Sequence, residues 1–168
     1  GFGDTNRFEL RAYEWSTGGF LSVLGNFPGF SSFFISWIIA ILYSIFGQSV
    51  LMGQALSLLF GMGSVFLGWL LAKKLWERSV ATKAAWFIAL FPSLILYSCL
   101  ILRETYICFF LLLALIGVVE WTRYKNLKSL FVTIIGFLGA TLFHDAMIVG
   151  LVFFLIFIFI QNIKSILI

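Results

Sequence analysis

Long apolar runs separated by short polar connections make up most of the chain. A transmembrane helix needs about 20 predominantly apolar residues, and flanking aromatic or hydroxyl side chains extend a shorter run into the headgroup region. The pattern therefore predicts an all-α integral membrane protein, with a bundle of about four transmembrane helices within residues 50–168. The apolar runs cover residues 30–46, 50–71, 84–102, 106–119, 130–143 and 147–160. Pro92 is expected to kink the third of these runs.

Residues 1–29 form the one sizeable polar region, and their spacing predicts a surface helix. Between residues 4 and 15, Phe8, Ala12 and Trp15 recur at helical spacing on one face. Such a helix is expected to lie in the outer membrane interface, with Phe8 and Trp15 facing lipid. Gly18-Gly19 is predicted to break this helix, and Asn26, Pro28 and Gly29 are predicted to mark a loop. The polar face of the helix carries Asp4, Arg7, Arg11 and Glu14.

Charged residues divide between alternate connections, which predicts the orientation. Eight basic residues fall on one side and three on the other. Because the cytoplasmic side of a membrane protein carries the excess of Lys and Arg, the first side is predicted to be cytoplasmic. The cytoplasmic set is Lys73, Lys74, Arg78, Lys83, Arg123, Lys125, Lys128 and Lys164, and the outer set is Arg7, Arg11 and Arg103.

This division constrains the first apolar run, residues 30–46. Residues 1–29 and the start of the run 50–71 both fall on the outer side, so the run between them does not cross. It has 17 residues, including four serines, and is at the lower limit for a span. We therefore expect residues 30–46 to form an interfacial or re-entrant helix on the outer side.

Composition excludes several classes of protein. The chain is 62% hydrophobic and 11% charged, whereas a soluble domain has about 25% charged residues. A soluble enzyme is excluded, and so is a nucleic-acid partner despite the net charge of +4. Cys99 and Cys108 lie inside apolar runs and predict neither a disulfide nor a metal site. Because the chain begins at Gly1 without a signal segment, we expect a missing upstream span, a processed chain or a fragment of a longer protein.

Asp4 leads the first of three candidate clusters at outer-side helix ends, where ionisable residues of membrane proteins are usually functional. Arg7, Glu9 and Glu14 accompany it. A carboxylate at the membrane surface suits a general base for an acceptor hydroxyl, or a ligand for a divalent cation. The alternative is a solvated helix face in which Asp4 caps the helix and forms ion pairs.

The second and third clusters are charged pairs between apolar runs. Arg103, followed by Glu104, suits a lipid phosphate because guanidinium binds phosphate bidentately; the alternative is a tight turn with snorkelling charges. His144, followed by Asp145, suits a ligand, a base or a phosphate contact, or else a polar turn. No HxxxH, DxD or CxxC spacing occurs, so the sequence does not support a metal cage built from protein ligands alone.

Three stretches of the sequence resemble the N-terminal portion of the polytopic GT-C glycosyltransferases, of the protein-mannosyltransferase and aminoarabinose-transferase type. They are GDTNRFELRAYEW, FGQSVLMGQALSLLFGMGSVFLGWLLAKKLW and FPSLILYSCLILRE. The Arg-Pro that this family often has near the third cluster is absent from GATLFHDAMIVG. The matching positions are Asp4, Pro28, Phe46, Gly47, Pro92, Ser93, Tyr97, Ser98, Arg103 and Glu104.

The resemblance implies an enzyme that transfers a sugar from a polyprenyl-phosphate donor at the outer membrane face. It implies Asp4 as the catalytic carboxylate, with Arg103, Glu104, Arg7 and His144 binding the substrate. A lipid-linked sugar donor and membrane lipids are the implied partners, and a bacterial inner membrane is the implied location.

An alternative function is that of an accessory subunit without complete catalytic machinery. Rows of small residues, Gly61-x-Gly63 and Gly136-x-x-Gly139, suit packing against other subunits of a membrane complex. A small transporter fits less well, because charges are nearly absent from the middle of the predicted spans.

Overall fold

The protein, as a computed structural model, is helical almost throughout, which confirms the predicted all-α class. The structure describes residues 2–166, with side chains described for residues 3–160, and no strand occurs in that range. Lys164, assigned above to the cytoplasmic side, lies outside the described side chains. The helices are α1 (Phe2–Ser16), α2 (Gly19–Gly25), α3 (Phe34–Phe46), α4 (Val50–Leu75), α5 (Arg78–Ala89), α6 (Pro92–Ser98), α7 (Arg103–Tyr124), α8 (Leu127–Phe143) and α9 (Ile148–Ile166), with a 3₁₀ turn at Asp145–Met147 before α9.

The predicted amphipathic helix is present as α1, but protein rather than lipid covers its apolar face. Phe8 is 7% exposed and Ala12 is fully buried, because α1 packs along α3. Ser36 of α3 donates a hydrogen bond from Oγ to the carbonyl of Phe8 at 2.8 Å. The prediction that Phe8 faces lipid is therefore wrong, and Trp15 packs partly buried against the same core.

Helix α2 lies between the predicted break at Gly18-Gly19 and the predicted loop at Asn26, Pro28 and Gly29, where no element was predicted. Gly19, at φ +79°, separates it from α1, and few residues other than glycine adopt that backbone conformation. Val23 of α2 is fully buried, and its carbonyl accepts a hydrogen bond from Trp37 Nε1 of α3 at 2.8 Å. This contact fixes α2 on α3, so α1, α2 and α3 form one layer.

Helices α4 and α7 lie side by side and run in the same direction. Near their N-terminal ends, the hydroxyls of Ser57 and Tyr106 are hydrogen-bonded at 3.0 Å. Near their C-terminal ends, Lys74 Nζ forms an ion pair with Glu120 Oε1 at 2.5 Å. Both side chains of this pair are largely shielded from solvent, so the pair joins the two helices at the basic end of the bundle.

From α4 onward, the helical segments alternate in direction. Ile88 of α5 lies over Gly68 of α4, Phe110 of α7 over Gly139 of α8, and Phe137 of α8 over Gly150 of α9. These contacts pair early residues of one segment with late residues of the other. With α5 and α6 counted together, five helical segments follow the layer α1–α3 in the described chain. The predicted number of about four transmembrane helices stays a prediction.

The run at residues 84–102, which was predicted to be a single span kinked at Pro92, is broken in two. Helix α5 ends at Ala89, and Pro92 begins α6 at an angle of 61°. Proline has no backbone N–H and fixes φ near −65°, so it starts a helix well but does not continue one. The break lies on the outside of the bundle, where Leu90 is 66% exposed.

Two helices of the described chain, α4 and α7, are long and apolar enough to cross a membrane, and a third crossing results if α5 and α6 form one span. This supports a membrane protein. The helix ends around the Lys74–Glu120 pair carry the basic residues between positions 73 and 128, and the opposite end carries Arg103, Glu104 and Asp145. The described helix ends therefore divide the charges as predicted.

The close packing of α7 on α8 depends on Gly136. A Cβ built there would overlap the amide nitrogen of Ala114 and approach its Cα to 2.6 Å. We expect Gly136→Ala to force the helices apart and lower the free energy of unfolding by about 1–3 kcal/mol, seen as a lower Tm in detergent. Gly25→Ala is the control, because nothing lies within 4 Å of its added Cβ. An unchanged Tm for Gly136→Ala would contradict this packing.

Two buried tyrosines should respond oppositely to loss of the hydroxyl. Tyr43 is 3% exposed and its hydroxyl has no partner among the described residues, so Tyr43→Phe should leave the Tm unchanged or raise it. Tyr106→Phe removes the bond to Ser57 and should lower stability by about 1 kcal/mol.

Burial, with a smaller effect of the Glu9 charge, raises the pKa of Tyr43 to about 12. Stability due to neutral Tyr43 should therefore be lost only between about pH 10 and pH 12.

Candidate functional site

Four of the five predicted site residues line one cavity at the acidic end of the bundle. This polar cavity has a volume of about 110 Å³. Helix α1 contributes three lining side chains, the segment before α3 contributes two, and the first turn of α7 contributes two. The lining is Asp4, Arg7, Phe8, Ser32, Phe33, Arg103 and Glu104. Residues separated by about a hundred positions in the sequence thus meet at one site.

Arg103 reaches this cavity from the start of α7. The preceding residue, Leu102, is extended at φ −132° and ψ 141°, which ends the irregular link after α6 and directs the first turn of α7 towards α1. Glu104 in the same turn is well placed for a carboxylate, because a helix N-terminus carries a partial positive charge. The packing of Tyr106 against Phe60 and Phe143 anchors this turn.

The guanidinium of Arg103 has two partners. Nη1 donates to Ser32 Oγ at 2.5 Å, and Nε lies 3.5 Å from Glu104 Oε1. Arg103 therefore has partners within the protein, although adjacent helix residues do not face each other directly. Arg103 remains 28% exposed, so part of it is open to a ligand.

Arg7 and Arg11 lie over the ring of Phe33. Their guanidinium carbons are 5.8 Å and 5.5 Å from its centroid, within the range of cation–π attraction. Asp4 lies 3.9 Å from Arg7, but both side chains are more than half exposed, so this ion pair is weak. Three arginines, at positions 7, 11 and 103, thus face one patch of surface around Phe33 and Ser32.

The formal charges of the polar cavity cancel, since two carboxylates face two guanidinium groups. Such a site suits a ligand that presents an anion to the arginines and a hydroxyl to a carboxylate. No group of three or more His, Cys, Asp or Glu side chains that could hold a metal ion occurs in the described chain. The carboxylates and guanidinium groups that line the cavity can supply proton transfer and stabilisation of an anion.

His144, the fifth predicted site residue, is at the same end of the bundle but does not line the polar cavity. It ends α8, and its backbone N–H donates to the carbonyls of Ala140 and Thr141. The adjacent Phe143 is buried, with its ring centroid 4.9 Å from that of Tyr106. Asp145 begins the 3₁₀ turn and is exposed.

An apolar groove of about 410 Å³ lies between the broken pair α5–α6 and helix α7. Glu104 lines both this groove and the polar cavity, so the two spaces meet at its side chain. Pro92 was the feature of the sequence that pointed to this groove, because the helix breaks there. The lining of the groove is Phe87, Ile88, Phe91, Ser93, Leu94, Tyr97, Glu104 and Cys108.

Ser32 and Phe33 are site residues that the sequence did not indicate. They precede α3 in a segment with no charge and no motif, and only the folding of α1 onto α3 brings them to Arg103.

Comparison with known proteins does not assign the chain to a family. No protein-family model, curated protein sequence or solved structure matches it. The resemblance to GT-C glycosyltransferases stays a prediction. The structural evidence for a function is the polar cavity and the apolar groove, which meet at Glu104.

Proposed function

We propose that the protein is a glycosyltransferase-like membrane protein, which transfers a sugar from a polyprenyl-phosphate donor at the acidic end of the bundle. The observation that carries this proposal is the junction at Glu104 between the polar cavity and the apolar groove. A lipid-linked phosphate has the same two parts, an anionic head and a long apolar chain. We place the chain in the groove and the phosphate in the polar cavity, with the sugar at the open side of the cavity near the exposed Asp4.

In this proposal, the side chains of the polar cavity divide the reaction between them. Arg103 and Arg7 bind the phosphate of the donor. Asp4 accepts the proton of the acceptor hydroxyl while the oxygen of that hydroxyl bonds to the anomeric carbon of the sugar. The bond from that carbon to the phosphate oxygen breaks, and polyprenyl phosphate leaves with the electron pair and its added negative charge. Guanidinium groups stabilise that charge best when they are positioned in advance, which the bond from Arg103 to Ser32 supports.

The orientation follows from the charges. We place the basic end in the cytoplasm and the acidic end outside, because Lys and Arg are in excess on the cytoplasmic side. The segments α4, α5–α6, α7, α8 and α9 would cross, with the layer α1–α3 on the outer side. This is the arrangement expected for a bacterial inner-membrane protein that uses a donor on the outer face.

The accessory-subunit alternative has less support. The small-residue rows that suggested it are used within the chain, since Gly63 faces Phe109, and Gly136 and Gly139 face α7. They are therefore not free for another subunit, and no other described feature favours that function.

The phosphate role of Arg103 is tested by Arg103→Lys. Lysine keeps the charge but loses the planar fork, so transfer should fall about tenfold or more, as expected for loss of a hydrogen bond to a charged group. The assay is sugar transfer from a polyprenyl-phosphate donor in proteoliposomes. Arg123→Lys is the matched control, because Arg123 is exposed in the last turn of α7, at the opposite end of the helix, and does not line the polar cavity. Wild-type transfer by Arg103→Lys would rule out the phosphate role.

The orientation is tested by labelling single cysteines in a variant that lacks Cys99 and Cys108. Asp145→Cys and Lys128→Cys place thiols at exposed positions on opposite ends of α8. A membrane-impermeant maleimide added to intact cells should label only the cysteine at position 145, and the one at 128 should react only after permeabilisation. Labelling of both positions in intact cells would contradict the proposed crossing.

A further inference from the structure

The bend between α5 and α6 forms a third space, which adjoins the apolar groove at Phe87 and Phe91 and does not reach the polar cavity. This elbow cavity has a volume of about 570 Å³, within the range of roughly 300–1,000 Å³ of ligand pockets. It exists because Pro92 starts a new helix at 61° to α5. The lining is Lys83, Trp86, Phe87, Leu90, Phe91 and Pro92.

No part of the described chain covers the elbow cavity. Trp86 is 64% exposed and Phe87 is 72% exposed, although both side chains are large and apolar. In a helix that crosses a membrane, such side chains face lipid. The cavity is therefore an indentation in the lipid-facing surface of the bundle.

Lys83 is the only charged side chain in the lining, and it lies on the side of the cavity nearest the basic end of the bundle. Ile88 of α5 packs over Gly68 of α4, and the two helices are antiparallel. Position 83, five residues before Ile88, therefore lies at the same height in the bundle as position 73, five residues after Gly68. Lys83 is therefore level with Lys73. No described acidic side chain forms an ion pair with Lys83, so its charge is available to an external anion.

We infer that the elbow cavity binds an anionic phospholipid of the cytoplasmic leaflet. Its phosphate lies at Lys83, and one acyl chain lies along Trp86 and Leu90 into the bend. The depth supports a lipid, because the cation is at the level of the other basic helix ends while the apolar lining extends towards the middle of the bundle. Basic pockets on the cytoplasmic side of membrane proteins bind anionic headgroups in this way, and a lysine stem lies readily along apolar surface.

Fluorescence quenching of Trp86 tests the proposal on the full chain in lipid nanodiscs. Phosphatidylglycerol with brominated acyl chains is compared with brominated phosphatidylcholine, and the Trp86 signal is taken as the difference between wild type and Trp86→Phe. We expect anionic lipid to quench Trp86 at about fivefold lower mole fraction than zwitterionic lipid, the ratio equivalent to ~1 kcal/mol for one lysine at an anionic surface. Lys83→Gln should abolish that preference, and Lys83→Arg should keep it.

Lys128→Gln is the matched control, because it removes one exposed basic charge at the same end without touching the cavity. Equal quenching by the two lipids in wild type would overturn the proposal, and so would an equal loss of preference in Lys128→Gln.

Absence of quenching by either lipid, with a dimer detected by cross-linking, would show that a second protein copy fills the elbow cavity and would overturn the proposal. Inorganic phosphate should not reverse the quenching; reversal would show that the site binds free phosphate instead. Sugar transfer is not measured, so the result is independent of the proposed enzyme activity.

Discussion

The parallel packing of α4 against α7 is the constraint on which the rest of the bundle depends. Two neighbouring helices that run in the same direction require the chain between them to return the full length of the bundle. Helix α4 has 26 residues and is about 39 Å long at 1.5 Å per residue. The 12 residues of α5 and 7 residues of α6 cover only about 28 Å as helix. The non-helical residues at the bend before Pro92 and in the extended link before Arg103 make up the rest of the return.

Those two irregular segments create the features on which function is proposed. The link before α7 directs its first turn, with Arg103, towards the layer α1–α3. The bend moves α6 away from α7 and opens the apolar groove, and on its other side it opens the elbow cavity. An unbroken helix from residue 84 to residue 102, as hydropathy alone predicted, would have left neither space.

The sequence predicted which residues form an apolar face or carry a charge near a helix end. It did not predict which other parts of the chain contact those residues. Helical periodicity located α1 and its apolar face, because the spacing of Phe8 and Ala12 is a local property. It did not show that α3 covers that face, since both lipid and protein satisfy an apolar stripe. In the same way, charge placed Arg103 at an outer helix end, but its bond to Ser32 connects residues 71 positions apart and leaves no local signal.

The neutrality of the polar cavity bears on which ligand it selects. Glu104 aligns the Arg103 guanidinium but also opposes an incoming anion, so a free phosphate or a soluble sugar phosphate would gain little net attraction. A lipid-linked phosphate gains in addition from its chain, at about 0.8 kcal/mol for each CH₂ group that leaves water or a polar interface. For a donor already in the membrane this gain is smaller, and the groove then acts mainly by orienting the chain. In the proposed reaction, a chain held in the groove would present its phosphate to Arg103, because groove and cavity meet at Glu104. Selection for a lipid-linked donor would thus come from the geometry of the junction rather than from net charge.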